Sequence, residues 1–170
     1  IEPIKRVCKL TNGKLLVIGA KIEVPNLELE LVDWSASSEV EYIKSAHVGI
    51  MPLSENKWDL GKCGFKIIQY MASRIPVVAS PIGVNTKIIT DKKNGFLAYT
   101  QDDWFNCIYA IYKGIDKTII VDAYQNIVNN YSMEYATPIL TNTLIDTLYH
   151  DNIDSALVKG FGKEWEKFSF

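Results

Sequence analysis

Cysteine and histidine are scarce in this chain, with three cysteines, at positions 8, 63 and 107, and two histidines among 170 residues. An odd cysteine count without a CxxC spacing suggests neither a disulfide framework nor a zinc site, and it suits a reducing compartment. Long hydrophobic runs are missing too. No stretch approaches the roughly 18 to 20 apolar residues of a membrane span, and the first residues do not read as a charged-then-apolar signal sequence. A basic excess is absent: the formal charge is -2 and the pI is near 5.7, which argues against duplex DNA as a partner. Any anion site must therefore be local. The sequence has no G-x-G-x-x-G after a strand, no DxD, no clustered His/Asp ligand set, no repeat and no low-complexity segment. These gaps count against a dinucleotide-dependent oxidoreductase and against a bound metal.

What is present is a hydrophobic fraction of 48%, enough for one core with a short appendage. The opening IEPIKRVCK reads as the tail of a helix that begins upstream of Ile1. KLLVIGA (14–20) is a nearly continuous apolar run, which predicts a strand covered on both faces. LELELVD (27–33) alternates apolar and acidic side chains and predicts a strand with one wet face near an edge. Ser38 and Glu41 have the spacing of a capping box, ahead of a short helix with Val40, Ile43 and Ala46 on one face. HVGIMPL (47–53) reads as a third buried strand with His47 as a structural residue, followed by a polar loop to about Gly64. FKIIQYMASR (65–74) places Ile67, Ile68, Met71 and Ala72 at helical spacing, and Pro76 forbids continuation. PVVAS (76–80) predicts a core strand, then a loop, a short helix over 86–90, a DKKNG turn and a strand FLA (96–98). Helices are expected from Asp102, with Trp104, Ile108 and Ile111 as its stripe, and over 117–130 and 133–149.

This alternation predicts an α/β fold, a doubly wound parallel sheet with right-handed crossovers that binds ligands beyond the carboxyl ends of its strands. Loops 19–24, 33–37, 53–64 and 81–85 fall at that end. Gly61 and Gly64 allow close approach of main chain to a ligand, and a helix starting near Phe65 presents amides and partial positive charge to an anion. Lys62 and Lys66 add cations there. Gln69, one turn on, has an amide able to bridge vicinal hydroxyls. Cys63 reads as a small buried thiol.

These residues resemble the donor loop of the group 1 (family 4) glycosyltransferases of the GT-B fold. The likeness runs in order through Ala46–Leu53, Lys66, Gln69–Ala72, Ile75–Ser80, Gly83, Asp91–Phe96 and Tyr131-Ser132, and covers roughly residues 10 to 149. It implies a Rossmann-like C-terminal half of a GT-B enzyme over 1–150, with 151–170 as a tail or linker. It implies a nucleotide-diphosphate sugar, UDP- or GDP-linked, as substrate, and no cofactor or metal. Hexosyl transfer with retention, to a glycan or lipid-linked acceptor in cell-surface polysaccharide synthesis, is what the resemblance further implies. An N-terminal acceptor-binding domain would be the partner, and the location cytoplasmic, with the inner face of the membrane as the alternative.

Residue by residue, Lys66 is the expected catalytic cation on the diphosphate and Gln69 the ribose ligand. Gly61, Lys62, Cys63, Gly64, Phe65, Ile82, Gly83, Val84 and Asn85 complete the donor loops. Gly19, Asp33 and Trp34 are placed near the base. The family commonly carries two glutamates eight positions apart where this chain has Gly61 and Gln69, and a subgroup has lysine where Lys66 stands. The family's basic pair near the first strand would fall before Leu15, outside the given chain. Loss of both loop carboxylates keeps a non-catalytic nucleotide-binding module in play. A sugar-nucleotide epimerase would need acid and base groups absent from these loops. The tail VKGFGKEWEKFSF, from Val158, resembles the lead-in to some class I methyltransferase domains, and predicts a fused enzyme.

Overall fold

The structure, a computed structural model, describes residues 1–150, with side-chain surroundings through Leu148. The methyltransferase-like segment, like the rest of 151–170, lies outside the described residues. Two compact units are distinguished, Ile1–Val128 and a second that begins at Asn129.

The first unit runs α1 (Glu2–Thr11), β1 (Leu15–Ile18), β2 (Leu29–Val32), α2 (Glu39–Ser45), β3 (Gly49–Met51), α3 (Lys57–Leu60), α4 (Phe65–Ala72), β4 (Val77–Ala79), α5 (Asn85–Ile88), β5 (Phe96–Leu97), α6 (Gln101–Lys113) and most of α7 (Lys117–Tyr131). Strand pairing among the described residues is parallel throughout: β1 lies beside β2, and β4 between β3 and β5. Parallel neighbours need crossovers, supplied by α3 and α4 between β3 and β4 and by α5 between β4 and β5. This is the expected α/β, Rossmann-like class. The backbone ladders form two groups, β1-β2 and β3-β4-β5, where one sheet was expected.

Strand β4 explains where the core sits. Val77, Val78 and Ala79 are all fully buried, because alternate side chains enter opposite layers. Val77 and Ala79 pack with Ile67, Met71, Ile88, Ile89, Leu97, Ala123 and Ile127. Val78 packs on the other side with Val7, Phe96, Ala98 and Ile108. The expected stripe of α6 is confirmed, since Trp104 and Ile111 pack against this second cluster. That helix opens with a capping box: Thr100 Oγ1 accepts from Asp103 N at 3.1 Å while Asp103 Oδ2 accepts from Thr100 N at 2.9 Å.

Several local expectations need correction. Strand β1 is half-buried along its whole length, not covered on both faces, because it has a single ladder neighbour. In β2 it is Leu31 that is exposed, whereas Glu30 is half-buried and paired with Lys14 at 2.6 Å. Ser38 and Glu41 form no capping box: Ser38 Oγ lies 2.5 Å from Ser35 Oγ, and Glu41 pairs with Lys44. On α2 only Ile43 is buried and Val40 is exposed. His47 is exposed, outside β3. The loop after β3 contains α3, which the sequence reading missed; Asn56 Oδ1 caps it by accepting from Asp59 N at 2.8 Å.

In the second unit, α8 spans Met133–His150. Ser132 starts it, its Oγ accepting from Tyr135 N at 3.2 Å, as an N-cap serine does.

Candidate functional site

Two of the loops that leave the carboxyl ends of the β3-β4-β5 ladder are tied to each other. Ser80 N donates to Met51 O at 3.1 Å, and Leu53 N donates to Ser80 Oγ at 2.9 Å. Asn85, fully buried, donates from Nδ2 to Ser80 O at 3.0 Å, while its Oδ1 has no hydrogen-bond partner. The turn between α3 and α4 then folds against the 80–85 loop. Gly83 backs onto Leu60, whose carbonyl oxygen would lie 3.2 Å from a Cβ at position 83.

Gly64 starts α4 in the left-handed region, φ 72. A Cβ there would meet Ile88 Cδ1 at 2.6 Å and Val84 Cγ1 at 2.9 Å, so the position excludes a side chain twice over. Ile67 and Met71, four residues apart and both fully buried, anchor the helix to β4, each burial worth about 1.5–3 kcal/mol. Their placement turns Lys66 and Gln69 away from the core. Gly61, Lys62, Cys63 and Phe65 are exposed. An exposed Cys63 corrects the buried thiol expected from the sequence: Gly61 ends α3 and Gly64 begins α4, leaving the intervening residues at the surface. Lys62 pairs with Asp59 at 3.2 Å. Asp59 also accepts from Ser54 N at 3.0 Å and Ser54 Oγ at 2.8 Å, contacts that hold its carboxyl well below the usual range.

Lys66 has a partner that sequence reasoning missed. Its Nζ donates to Glu39 Oε1, the first residue of α2, at 2.5 Å and to Gln69 Oε1 at 2.8 Å. Gln69 Nε2 donates to Glu39 Oε2 at 3.1 Å, closing a three-membered network between α2 and α4. The Glu39 side chain is only 12% exposed against 44% for Lys66. The hydrogen bond from Lys66 is the largest influence holding the Glu39 carboxyl below its ordinary 4.5; burial opposes it, and Gln69, the Lys66 charge and Trp34 add to it. The only sequence hint of Glu39 was an acidic residue in the first turn of a helix; nothing local links it to a lysine 27 positions away.

A second group lies beyond β1 and β2. Gly19, Asp33 and Trp34, with Ala20, Lys21 and Leu31, line an open concavity of about 910 Å³. Gly19 has φ 75, and a Cβ there would sit 2.8 Å from Trp34 Cβ, so its lack of a side chain lets the two loops close on each other. The candidate residues thus fall into two places. Gly19, Asp33 and Trp34 share the concavity. Gly61, Lys62, Cys63, Gly64, Phe65, Lys66, Gln69, Ile82, Gly83, Val84 and Asn85 gather around α4 and are not among its lining. Glu39 is bonded to Lys66 and Gln69, and Trp34 is the smallest of the influences that lower its carboxyl. Among the described residues, no group of three His, Cys, Asp or Glu side chains is placed to hold a metal ion. No described helix is long and apolar enough to cross a membrane.

The chain belongs to the glycosyl transferases group 1, whose family model matches residues 1–113. No curated protein matches it. Among solved structures it is similar to a point mutant of S. aureus TarM in complex with fondaparinux, alpha-GlcNAc-glycerol and UDP. The two share 20% identity with a TM-score of 0.61 over 83% of this chain and 31% of that one. It is also similar to the C-terminal domain of a glycosyl transferase group 1 family protein, LpcC, from Francisella tularensis. There the identity is 17% and the TM-score 0.48, over 61% of this chain and 54% of that one. The likeness to TarM places the fold, and the chain spans about a third of that protein's length.

Proposed function

We propose that the chain is the donor-binding half of a two-domain glycosyltransferase, holding a UDP- or GDP-linked sugar with its diphosphate at the first turn of α4. What supports this best is Lys66, one residue into that helix, half-exposed and with its ammonium held in place by Glu39 and Gln69. Breaking the sugar-phosphate bond leaves extra negative charge on the departing nucleoside diphosphate, and preorganised cations and amides are what stabilise it. Lys66 takes that role. Lys62, in the turn before α4, and the first amides of that helix, which have no acceptor within it, are assigned to the same charge.

Gly19, Asp33 and Trp34 are assigned to the base end of the nucleotide. The 61–65 turn and Ile82, Gly83, Val84 and Asn85 are assigned to the diphosphate and sugar end. In this reading a hexosyl group is transferred with retention and without a metal, because lysines and the helix end do the electrostatic work a metal would otherwise do. The acceptor half and the acceptor, a glycan or lipid-linked glycan of cell-surface polysaccharide synthesis, belong to the rest of the protein, in the cytoplasm. Titration of the chain with UDP, GDP and NAD in parallel, read by NMR or calorimetry, tests the reading. Nucleoside diphosphates are expected to bind, and binding of NAD alone would overturn it.

A further inference from the structure

We infer that Glu39 is a specificity-determining residue of this donor site: it surrenders Lys66 to the phosphates and takes the vicinal hydroxyls of the adjoining ribose in exchange. The inference rests on the diphosphate reading above and adds a residue to it, from a different helix.

The Lys66 ammonium is already engaged, by Glu39 Oε1 and Gln69 Oε1. A phosphate can recruit it only by drawing it away. The two partners are unequally free to move. Lys66 is almost half exposed on a flexible stem, whereas Glu39 is nearly buried at the start of α2 and held from its other oxygen by Gln69 Nε2. Therefore the lysine moves and the carboxylate stays.

Once Lys66 has left, Glu39 Oε1 loses a charge-assisted donor in a poorly solvated position, which is costly unless another donor replaces it. A second anion cannot do so, because like charges repel. A neutral diol can, since each hydroxyl offers a proton and a carboxylate accepts two. The fitting ligand therefore carries its anionic part and a hydroxyl pair a few ångströms apart, as a nucleoside diphosphate does and inorganic pyrophosphate does not. Gln69 has its amide committed to Glu39 and Lys66, so the diol contact passes from Gln69, where the sequence reading put it, to Glu39. Gln69 becomes the positioning residue.

The experiment compares UDP, the UDP analogue lacking both ribose hydroxyls, and inorganic pyrophosphate, by calorimetry on wild type, Glu39→Ala and Glu39→Gln. Wild type is expected to prefer UDP over the analogue by about tenfold or more, the worth of a hydrogen bond to a charged group. In Glu39→Ala that preference falls to about twofold or less while pyrophosphate binds more tightly, Lys66 having lost its competitor. Glu39→Gln, which keeps the shape and the contact to Gln69, is expected to fall between them and covers the case in which the alanine variant does not fold. An undiminished preference in both variants overturns the inference but leaves the diphosphate site standing. Failure of wild type to bind either UDP or GDP at millimolar concentration overturns the diphosphate reading itself, and the role of Glu39 with it; where GDP is the one bound, GDP and its analogue without ribose hydroxyls replace the UDP pair.

Discussion

Ser80 and Leu53 are joined across the ends of β4 and β3, the Leu53 amide donating to Ser80 Oγ at 2.9 Å. This bond fixes where the loop carrying α3 leaves the sheet, and hence where the turn before α4 can lie. Ser80→Ala removes a buried acceptor and leaves that amide without it. The expected loss is about 1–3 kcal/mol of unfolding free energy in urea titration, and an unchanged midpoint would refute the tie.

Gly64 should be the least replaceable glycine of the turn. Alanine at 64 meets both the left-handed backbone and the Ile88 and Val84 methyl groups, whereas alanine at 61 meets only carbonyl oxygens at 3.5 and 3.7 Å with an ordinary φ of -81. Gly64→Ala is expected to cost about 2–4 kcal/mol, summing backbone strain and overpacking, and Gly61→Ala less than about 1 kcal/mol. Equal losses in thermal unfolding would contradict this packing.

The Glu39 carboxyl offers a pH test. Its pKa is lowered from 4.5, chiefly by Lys66, so its stabilising interaction is fully present above pH 4.5 and is lost as the pH falls through the lowered value. Carboxyl NMR should give a midpoint below 4.5 in wild type, rising in Lys66→Met. The same midpoint in both proteins would show that the pair does not form in solution.

Much of this was legible beforehand, and the parts that were not share a cause. The spacing of Ile67 and Met71 predicts α4, and the apolar run at 76–80 predicts β4, because each reports burial of the residue itself. The α3 turn had a readable signal in Asn56 three positions before Asp59, hidden by the polar character of its loop. Ser38 and Glu41 misled because Ser35 was free to take the serine hydroxyl. Glu39 offered no more than an acidic residue in a helix's first turn: its contact with Lys66 depends on how α2 and α4 pack, which periodicity within either helix does not encode. Cys63 and His47 were misplaced for a related reason, since proximity in sequence to buried residues does not bury a side chain at a turn.

The most direct test of the diphosphate site is the affinity of UDP and of GDP for wild type and for Lys66→Ala, measured by calorimetry alongside NAD. UDP or GDP is expected to bind wild type, and the substitution to weaken that binding about tenfold or more, as loss of a charge-assisted contact to phosphate should. An affinity for the bound nucleoside diphosphate that the substitution leaves within about twofold would contradict the claim that Lys66 holds the diphosphate.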